Sequence, residues 1–204
     1  MSDDIDAIAK LVVRLETDFG VPDGFIGALP READWSFTIK TQALIEAAIT
    51  QLVLAALGRK ELGPAIEAAN LLGRSGKLAM AQALGLLDTE LGQFAERLGQ
   101  LRNRLVHDVR KASFSYSEHL ASLSKGERDT LLRALLFKVD KDLPADSPFL
   151  KSVSFAIWIH LLAFLAEVNS KRTAEEKARE IAELEADIGR ATMQGSDPIA
   201  DEYA

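Results

Sequence analysis

Residues 35–58 read WSFTIKTQALIEAAITQLVLAALG and repeat apolar side chains at the spacing of a helix. At about 3.6 residues per turn, these side chains form one stripe. The stripe holds Ile45, Ile49, Leu52, Val53 and Ala56. Asp34 is a suitable N-cap for such a helix, and Gly58 is a suitable C-terminal stop. The pattern therefore predicts a long helix from about Trp35 to Leu57 with a buried side.

Helical spacing also occurs on both sides of this stretch. The further segments with that spacing are 3–19, 61–73, 75–88, 89–111, 113–139, 149–168 and 171–191. Thr89 or Asp88 is the predicted N-cap of segment 89–111, and Ser124 is the predicted N-cap within segment 113–139. No alternating apolar–polar run, no Asn-Gly hairpin sequence and no internal repeat occurs. We predict an all-α protein with a helical domain over 1–170, followed by a charged helix and flexible tail over 171–204.

The composition limits the classes of function. The chain has 204 residues, no cysteine and a net charge of −7. Disulfides, thiolate nucleophiles and cysteine metal sites are therefore excluded, and the acidic balance argues against general nucleic-acid binding. The acidic N-terminus lacks the positive charge of a signal peptide, so we expect a cytoplasmic protein. The apolar run 152–166 contains His160 and is shorter than the ~18 residues that a membrane span needs, so we expect a buried helix and no membrane partner.

The stretch QLRNRLVHDVRK, residues 100–111, carries the densest set of chemically useful side chains. On a helix, Asn103 and His107 share a face because they are four residues apart. Arg104 lies beside that face, and Arg110 and Lys111 follow one or two turns later. Arg102 lies about 140° around the helix from His107, so it would have to curl back or meet a histidine of a second subunit.

This set fits one reaction class, the cleavage of RNA by its own 2′-hydroxyl. Histidine exchanges protons near neutral pH, and arginine stabilises the negative charge that builds on phosphorus. That reaction requires no metal, and the chain shows no plausible metal cluster or cofactor motif. The alternative from the residues alone is a solvent-exposed helix whose arginines add solubility and whose histidine caps the helix or pairs with Asp108.

The sequence from Arg102 to His107 resembles the Arg-Asn-three-residues-His motif of the HEPN superfamily. The segment IKTQALIEAAITQLV is similar to the long helix that precedes this motif in several HEPN branches, with Glu46 at the position of the usual acidic residue. The order of GKLAMAQALGLLD and LGQLRNRLVHD also resembles uncharacterised HEPN-like proteins and the related mannitol repressor group. The resemblance spans roughly residues 35–111. It implies an up-and-down helical bundle with additional C-terminal helices.

The resemblance also implies a site and an assembly. In catalytic family members the arginine and histidine line a cleft between two subunits, so it implies a homodimer without a metal or cofactor. Arg102 would stabilise the phosphate, and His107 would act as general acid or base. Asn103 would orient the histidine or bind phosphate, and Glu46 would help to hold the site. The remaining residues expected to bind substrate are Arg104, Arg110 and Lys111.

Two functional hypotheses follow. The first is a metal-independent endoribonuclease acting on RNA in a defence or toxin–antitoxin setting, with an antitoxin as partner. The second is a non-catalytic regulatory or interaction module, similar to the mannitol repressor group, with a regulatory protein partner. One toxin branch is nucleotidylated on a tyrosine two residues after the histidine, and Val109 stands there instead, so that regulation is not expected.

Three other features are expected to be structural. His160 lies in the most apolar segment and is predicted to be a core histidine. His119 is predicted to be exposed or to donate a local hydrogen bond. The segment GRSGK, residues 73–77, lacks the spacing and the preceding strand of a phosphate-binding loop.

Overall fold

The computed structural model describes residues 2–136 and 152–194. Within these two ranges the chain forms nine α-helices and no β-strand, so the predicted all-α class is confirmed. The helices are α1 (Ser2–Phe19), α2 (Phe25–Ala28), α3 (Asp34–Leu57), α4 (Gly63–Ala68), α5 (Lys77–Ala83), α6 (Thr89–Val106), α7 (Tyr116–Ser122), α8 (Lys125–Leu135) and α9 (Val153–Gln194). Three short 3-10 segments lie between them, at Leu29–Arg31, Lys60–Leu62 and Val109–Ser113.

Helix α3 lies at the centre of the fold, in contact with α5, α6 and α9. Four of the five residues of its predicted stripe are fully buried, and Ala56 is partly buried. Phe37 and Ala48 are fully buried as well. A helix that is apolar on most sides is stable only when other elements enclose it. The other helices are therefore arranged so that they cover α3.

The two ends of α3 differ in how well the sequence predicted them. Gly58 ends the helix with a φ of 64°, as predicted, because glycine adopts this left-handed conformation without strain. The prediction that Asp34 is the N-cap is wrong, because Asp34 is the first helical residue. Its carboxylate instead accepts a hydrogen bond from the backbone N–H of Tyr116, at 2.8 Å. A tertiary contact that ties α7 to α3 therefore takes the place of a local cap.

Helix α6 supplies the second wall of the core and carries the candidate site at its end. Asp88 is its N-cap and accepts a hydrogen bond from the backbone N–H of Leu91 at 2.8 Å, as predicted. The predicted apolar residues up to Leu105 are all buried. They are Leu91, Phe94, Leu98, Leu101 and Leu105.

The predicted continuation of this helix to Lys111 is wrong, since α6 ends at Val106. Asp108 has an extended backbone, with φ −141° and ψ 101°, and its carboxylate accepts the N–H of Arg110 at 3.1 Å. Aspartate side chains compete in this way with helical hydrogen bonding. The chain therefore leaves the helix at Asp108 and starts the 3-10 segment Val109–Ser113.

Helix α9 is a single helix of 42 residues where the sequence suggested an apolar helix followed by a charged one. No glycine or proline occurs between Val153 and Ile188, so nothing in the chain interrupts it. Its first part is buried against α3, and its later part is exposed. The predicted domain boundary at residue 170 lies inside this helix. The predicted linker over residues 140–148 lies outside the described residues. Of the predicted tail over 192–204, residues 192–194 continue α9, and the remainder lies outside the described residues.

Two described helices are long and apolar enough to cross a membrane by length and composition. They are Asp34–Leu57 and the part of α9 from Val153 to Arg190. In this fold 50% of the most apolar window of the first and 67% of that of the second are buried inside the protein. Both helices therefore direct much of their apolar surface into the core described above.

The core contact between α6 and α9 yields a stability prediction. Phe94 is fully buried, and its ring lies 5.6 Å from that of Phe164. Phe94→Ala should lower the free energy of unfolding by about 3–5 kcal/mol, because it removes buried apolar surface and leaves a cavity. The same substitution at Phe155, which is 43% exposed, is the matched control.

Urea denaturation of the three proteins measures the difference. Phe155→Ala should cost clearly less than Phe94→Ala, since much of the Phe155 ring is already in water. Equal losses for the two substitutions would contradict the packing of α6 on α9.

Candidate functional site

The candidate site lies on the last turn of α6, where two buried leucines anchor the helix to the core. Leu101 and Leu105 are each 2% exposed, whereas Asn103 and His107 are both exposed. His107 is the C-cap residue, but its dihedral angles, φ −82° and ψ −4°, remain in the helical region. It therefore continues the face of Asn103, about 40° away around the helix axis. The side chain of His107 makes no hydrogen bond or ion pair within the described part of the chain.

Arg102 lies on a different side of the same turn and is half-buried. Its Nη1 donates a hydrogen bond to Oδ1 of Asn103 at 3.1 Å. Its Nε is buried without a hydrogen-bond partner among the described residues. Leaving a buried donor without a partner costs about 1–3 kcal/mol. The guanidinium is thus linked to the exposed face by Asn103, and one of its donors is unsatisfied.

Glu46, on α3, is near enough to Arg102 for their charges to interact. It accepts hydrogen bonds from Nζ of Lys77 at 3.0 Å and from Nε2 of Gln42 at 2.9 Å. Burial raises the pKa of Glu46, but the hydrogen bonds from Lys77 and Gln42 and the charges of Lys77 and Arg102 lower it by more. The pKa of Glu46 therefore lies below its usual value, and the side chain is a carboxylate at neutral pH.

Lys77 is the residue of this cluster that the sequence did not identify. It is the first residue of α5, and its side chain is only 5% exposed. Because its ammonium group is bonded to Glu46, the segment GRSGK does not present it to a phosphate. The one indication in the sequence is its position. Lys77 stands next to Leu78 in a segment whose apolar residues are buried, and a buried lysine needs a partner for its charge.

Arg110 and Lys111 do not extend the face of α6, contrary to the sequence prediction, because the helix has already ended. Arg110 is bound to the carboxylate of Asp108 through Nε at 2.9 Å and Nη2 at 3.1 Å. This contact lowers the pKa of Asp108 and raises that of Arg110. Lys111 donates from Nζ to the carbonyl oxygen of Arg104 at 3.2 Å. It thereby satisfies one of the carbonyl groups at the C-terminal end of α6.

His119 lies closer to the candidate site than the sequence indicated. It is half-buried, and its ring lies 5.7 Å from that of Phe114. Burial and the positive charges of Arg104 and Lys111 lower its pKa. His119 thus shares a groove with Arg104 and Lys111 beside the end of α6. Only the tertiary structure shows this, because α7 is a separate helix.

The third histidine is a core residue, as predicted. His160 is 4% exposed, and its Nδ1 donates a hydrogen bond to the carbonyl oxygen of Ala156 at 2.7 Å. Burial lowers its pKa, and the bond to Ala156 raises it by less. Across residues 2–136 and 152–194, no group of three or more His, Asp or Glu side chains is placed to hold a metal ion.

In comparisons with known proteins, no family model, no curated protein and no solved structure matches this chain. The functional interpretation therefore depends on the residues and geometry of the chain itself. Of the residues singled out in the sequence, Arg102 is hydrogen-bonded to Asn103 and is near enough to Glu46 for their charges to interact. His107 lies on the face of Asn103. Arg104 faces the groove of His119.

The Glu46–Lys77 pair yields a stability prediction. Glu46→Gln would leave the ammonium of Lys77 nearly buried without a counter-charge. The free energy of unfolding should fall by about 1–3 kcal/mol, because the nearly buried ammonium of Lys77 loses its counter-charge while Glu46 itself is 33% exposed. Combining Glu46→Leu with Lys77→Met should recover most of this loss, since neither charge then remains.

The effect should also depend on pH. A carboxyl group whose pKa is lowered on folding stabilises the protein above its unfolded pKa, about 4.3. That contribution is lost as the pH falls through the lower pKa of the folded state. The difference between wild type and Glu46→Gln in urea denaturation should therefore be full at neutral pH and shrink as the pH falls below about 4.3. A difference that stays constant over this range would contradict the ion pair.

Proposed function

We propose that this chain is a HEPN-like, metal-independent endoribonuclease that acts in the cytoplasm as a homodimer. The observation that carries the proposal is the last turn of α6. This turn and its C-cap residue place an exposed asparagine and an exposed histidine on one face, and the asparagine accepts a hydrogen bond from a half-buried arginine. Proton transfer and phosphate stabilisation need these groups, and the core fixes the turn that carries them.

Cleavage of RNA by its own 2′-hydroxyl needs no metal ion and no cofactor. The 2′-oxygen of a ribose attacks the adjacent phosphorus, and the bond from phosphorus to the 5′-oxygen breaks. The 2′-hydroxyl loses a proton and the leaving 5′-oxygen gains one, so the products are a 2′,3′-cyclic phosphate and a 5′-hydroxyl. His107 transfers these protons, and the guanidinium of Arg102 stabilises the charge on the phosphoryl oxygens. Asn103 holds Arg102 and contacts the phosphate.

A second subunit completes the site. Arg102 and His107 lie about 140° apart around one helix, so a second helix can bring the two side chains to the same phosphorus from opposite sides. Two α6 helices meeting across a two-fold axis would bring Arg102 of one protomer to His107 of its partner. The two-fold symmetry gives the dimer two equivalent sites, each with Arg102 of one protomer and His107 of its partner. The exposed position of His107 is what this arrangement requires.

The local charges favour an RNA substrate although the chain is acidic overall. Arg102 and Arg104 lie on the same turn, and Lys111 folds back to the end of that helix. Lys77 already offsets much of the negative charge of Glu46, so Glu46 cancels only part of the positive charge of Arg102. A small basic site of this kind supports binding of one or two phosphates and not of long nucleic acid. The biological setting that fits is a defence or toxin–antitoxin system, with an antitoxin as protein partner.

The second candidate is a non-catalytic regulatory or interaction module, similar to the mannitol repressor group. One observation favours it, an apolar stripe on the exposed part of α9. Ile181, Leu184 and Ile188 are 57%, 62% and 64% exposed. Their spacing places them on one face of the helix, as in helices that bind a partner through an apolar stripe.

Cleavage of mixed RNAs by the purified protein in EDTA tests the proposal. Wild type should cleave, and His107→Ala and Arg102→Ala should each reduce the rate by about 100-fold or more, because each removes a group that acts in the transition state. Arg97→Ala is the matched control for Arg102→Ala. Arg97 lies on the same helix, and its Nη1 is hydrogen-bonded to Gln100 at 3.1 Å.

The outcomes separate the two candidates. Arg97→Ala should cleave like wild type. Cleavage by His107→Ala at the wild-type rate would contradict the catalytic role of this site. No cleavage by wild type between about pH 5 and about pH 9, the range in which histidine titrates, would favour the interaction module.

A further inference from the structure

A groove of about 360 Å³ lies beside the candidate site, between the end of α6, the 3-10 segment Val109–Ser113 and α7. Its walls differ in chemistry. Leu101, Leu105 and Phe114 form an apolar side. Arg104, Lys111 and His119 bring nitrogen donors to it. A nucleotide needs both kinds of wall, an apolar or aromatic surface for the base and cations for the phosphate.

Arg104, Lys111 and His119 all line the groove. Arg104 and Lys111 are near enough to His119 for their charges to lower its pKa. The side chain of Arg104 is exposed and makes no hydrogen bond within the described residues. The other charged groups of the lining are Arg110, whose charge Asp108 offsets, and Glu118. Arg104 and Lys111 together outweigh Glu118, so the groove is a weakly basic site in a chain with a net charge of −7.

Phe114 supplies the aromatic surface. It is half-buried, and its ring meets that of Tyr116 edge-on at 5.1 Å, with the ring planes 74° apart. Tyr116 is 1% exposed, and its hydroxyl is 2.8 Å from that of Thr38 on α3. The Phe114 ring is therefore held on a fixed support while part of it lines the groove. A fixed aromatic ring is suited to stacking with a nucleobase.

The groove adjoins the candidate catalytic face. Arg104 precedes His107 by three residues, so the two side chains are neighbours on the helix surface. A strand whose scissile phosphate is at His107 therefore has its next nucleotide within reach of Arg104.

We propose that this groove is a subsite for one unpaired nucleotide of single-stranded RNA, next to the phosphate that is cleaved. The phosphate of this nucleotide binds Arg104, Lys111 and His119, and its base stacks on Phe114. The subsite rests on the proposed nuclease function, and it names the substrate as unpaired RNA. A base within a duplex cannot reach the ring, because it is stacked between its neighbours.

Binding of a fluorescent single-stranded RNA to His107→Ala protein in EDTA tests the subsite without cleavage. Added to that background, Phe114→Leu should weaken binding about fivefold or more, since stacking is lost while the apolar volume is kept. Arg104→Ala should weaken binding and reduce the slope of log K against log salt by about 0.7, the value for one phosphate contact of a single strand. His119→Gln should weaken binding as well, and Arg97→Ala should leave affinity and slope unchanged.

Three comparisons can overturn the subsite. Unchanged RNA affinity in Phe114→Leu, Arg104→Ala and His119→Gln would show that RNA does not use the groove. Equal affinity for a duplex of the same sequence would remove the base-stacking role. Equal affinity for uridine monophosphate or inorganic phosphate, with the same dependence on His119, would make the groove a site for free phosphate compounds.

The subsite and the nuclease proposal fail in different ways. Groove-dependent binding of RNA by a wild-type protein that never cleaves it would remove the catalysis and keep the subsite. Cleavage that needs His107 but is unaffected by the groove substitutions would keep the nuclease and overturn the subsite.

Discussion

Helix α3 is apolar on most of its circumference, and the rest of the fold is the set of elements that keeps it out of water. Helices α5, α6 and α9 each contact it, and the long α9 covers the largest part. Enclosure on this scale fixes the orientation of α6 as well, because its buried leucines must face α3. The exposed side of its last turn is then determined, and that side carries Asn103 and His107. The position of the candidate site is thus a consequence of core packing.

The one charged side chain at this part of α3 connects the core to the site. Glu46 is tied to Lys77 at the start of α5, and its field also acts on Arg102 at the end of α6. Three helices therefore converge on a single carboxylate. A partly buried pair of this kind contributes little net stability compared with apolar residues, because desolvation offsets much of the attraction. Its structural effect is to fix α5 against α3 and to place a negative charge where the arginine needs orientation.

The sequence predicted the parts of the molecule that depend on local patterns. The apolar stripe of α3, its stop at Gly58, the cap at Asp88 and the cap at Ser124 all follow from neighbouring residues, and the structure has each of them. The errors and omissions arise where a distant partner or a competing bond intervenes. Asp34 binds the backbone of Tyr116 instead of capping α3, and Asp108 ends α6 before Arg110. The roles of Lys77 and His119 depend on which helices pack together, which no spacing along the chain reveals.

Mixing two inactive variants tests directly whether the site is built from two subunits. Arg102→Ala and His107→Ala chains, carrying different tags and produced together, would form mixed dimers with one intact site, made from Arg102 of one protomer and His107 of its partner. Random pairing should restore about a quarter of the wild-type RNA cleavage, because about half of the dimers are mixed and each has one of two sites intact. Mixed dimers that form, as capture through both tags would show, but that cleave no better than the separate variants would contradict the shared cleft.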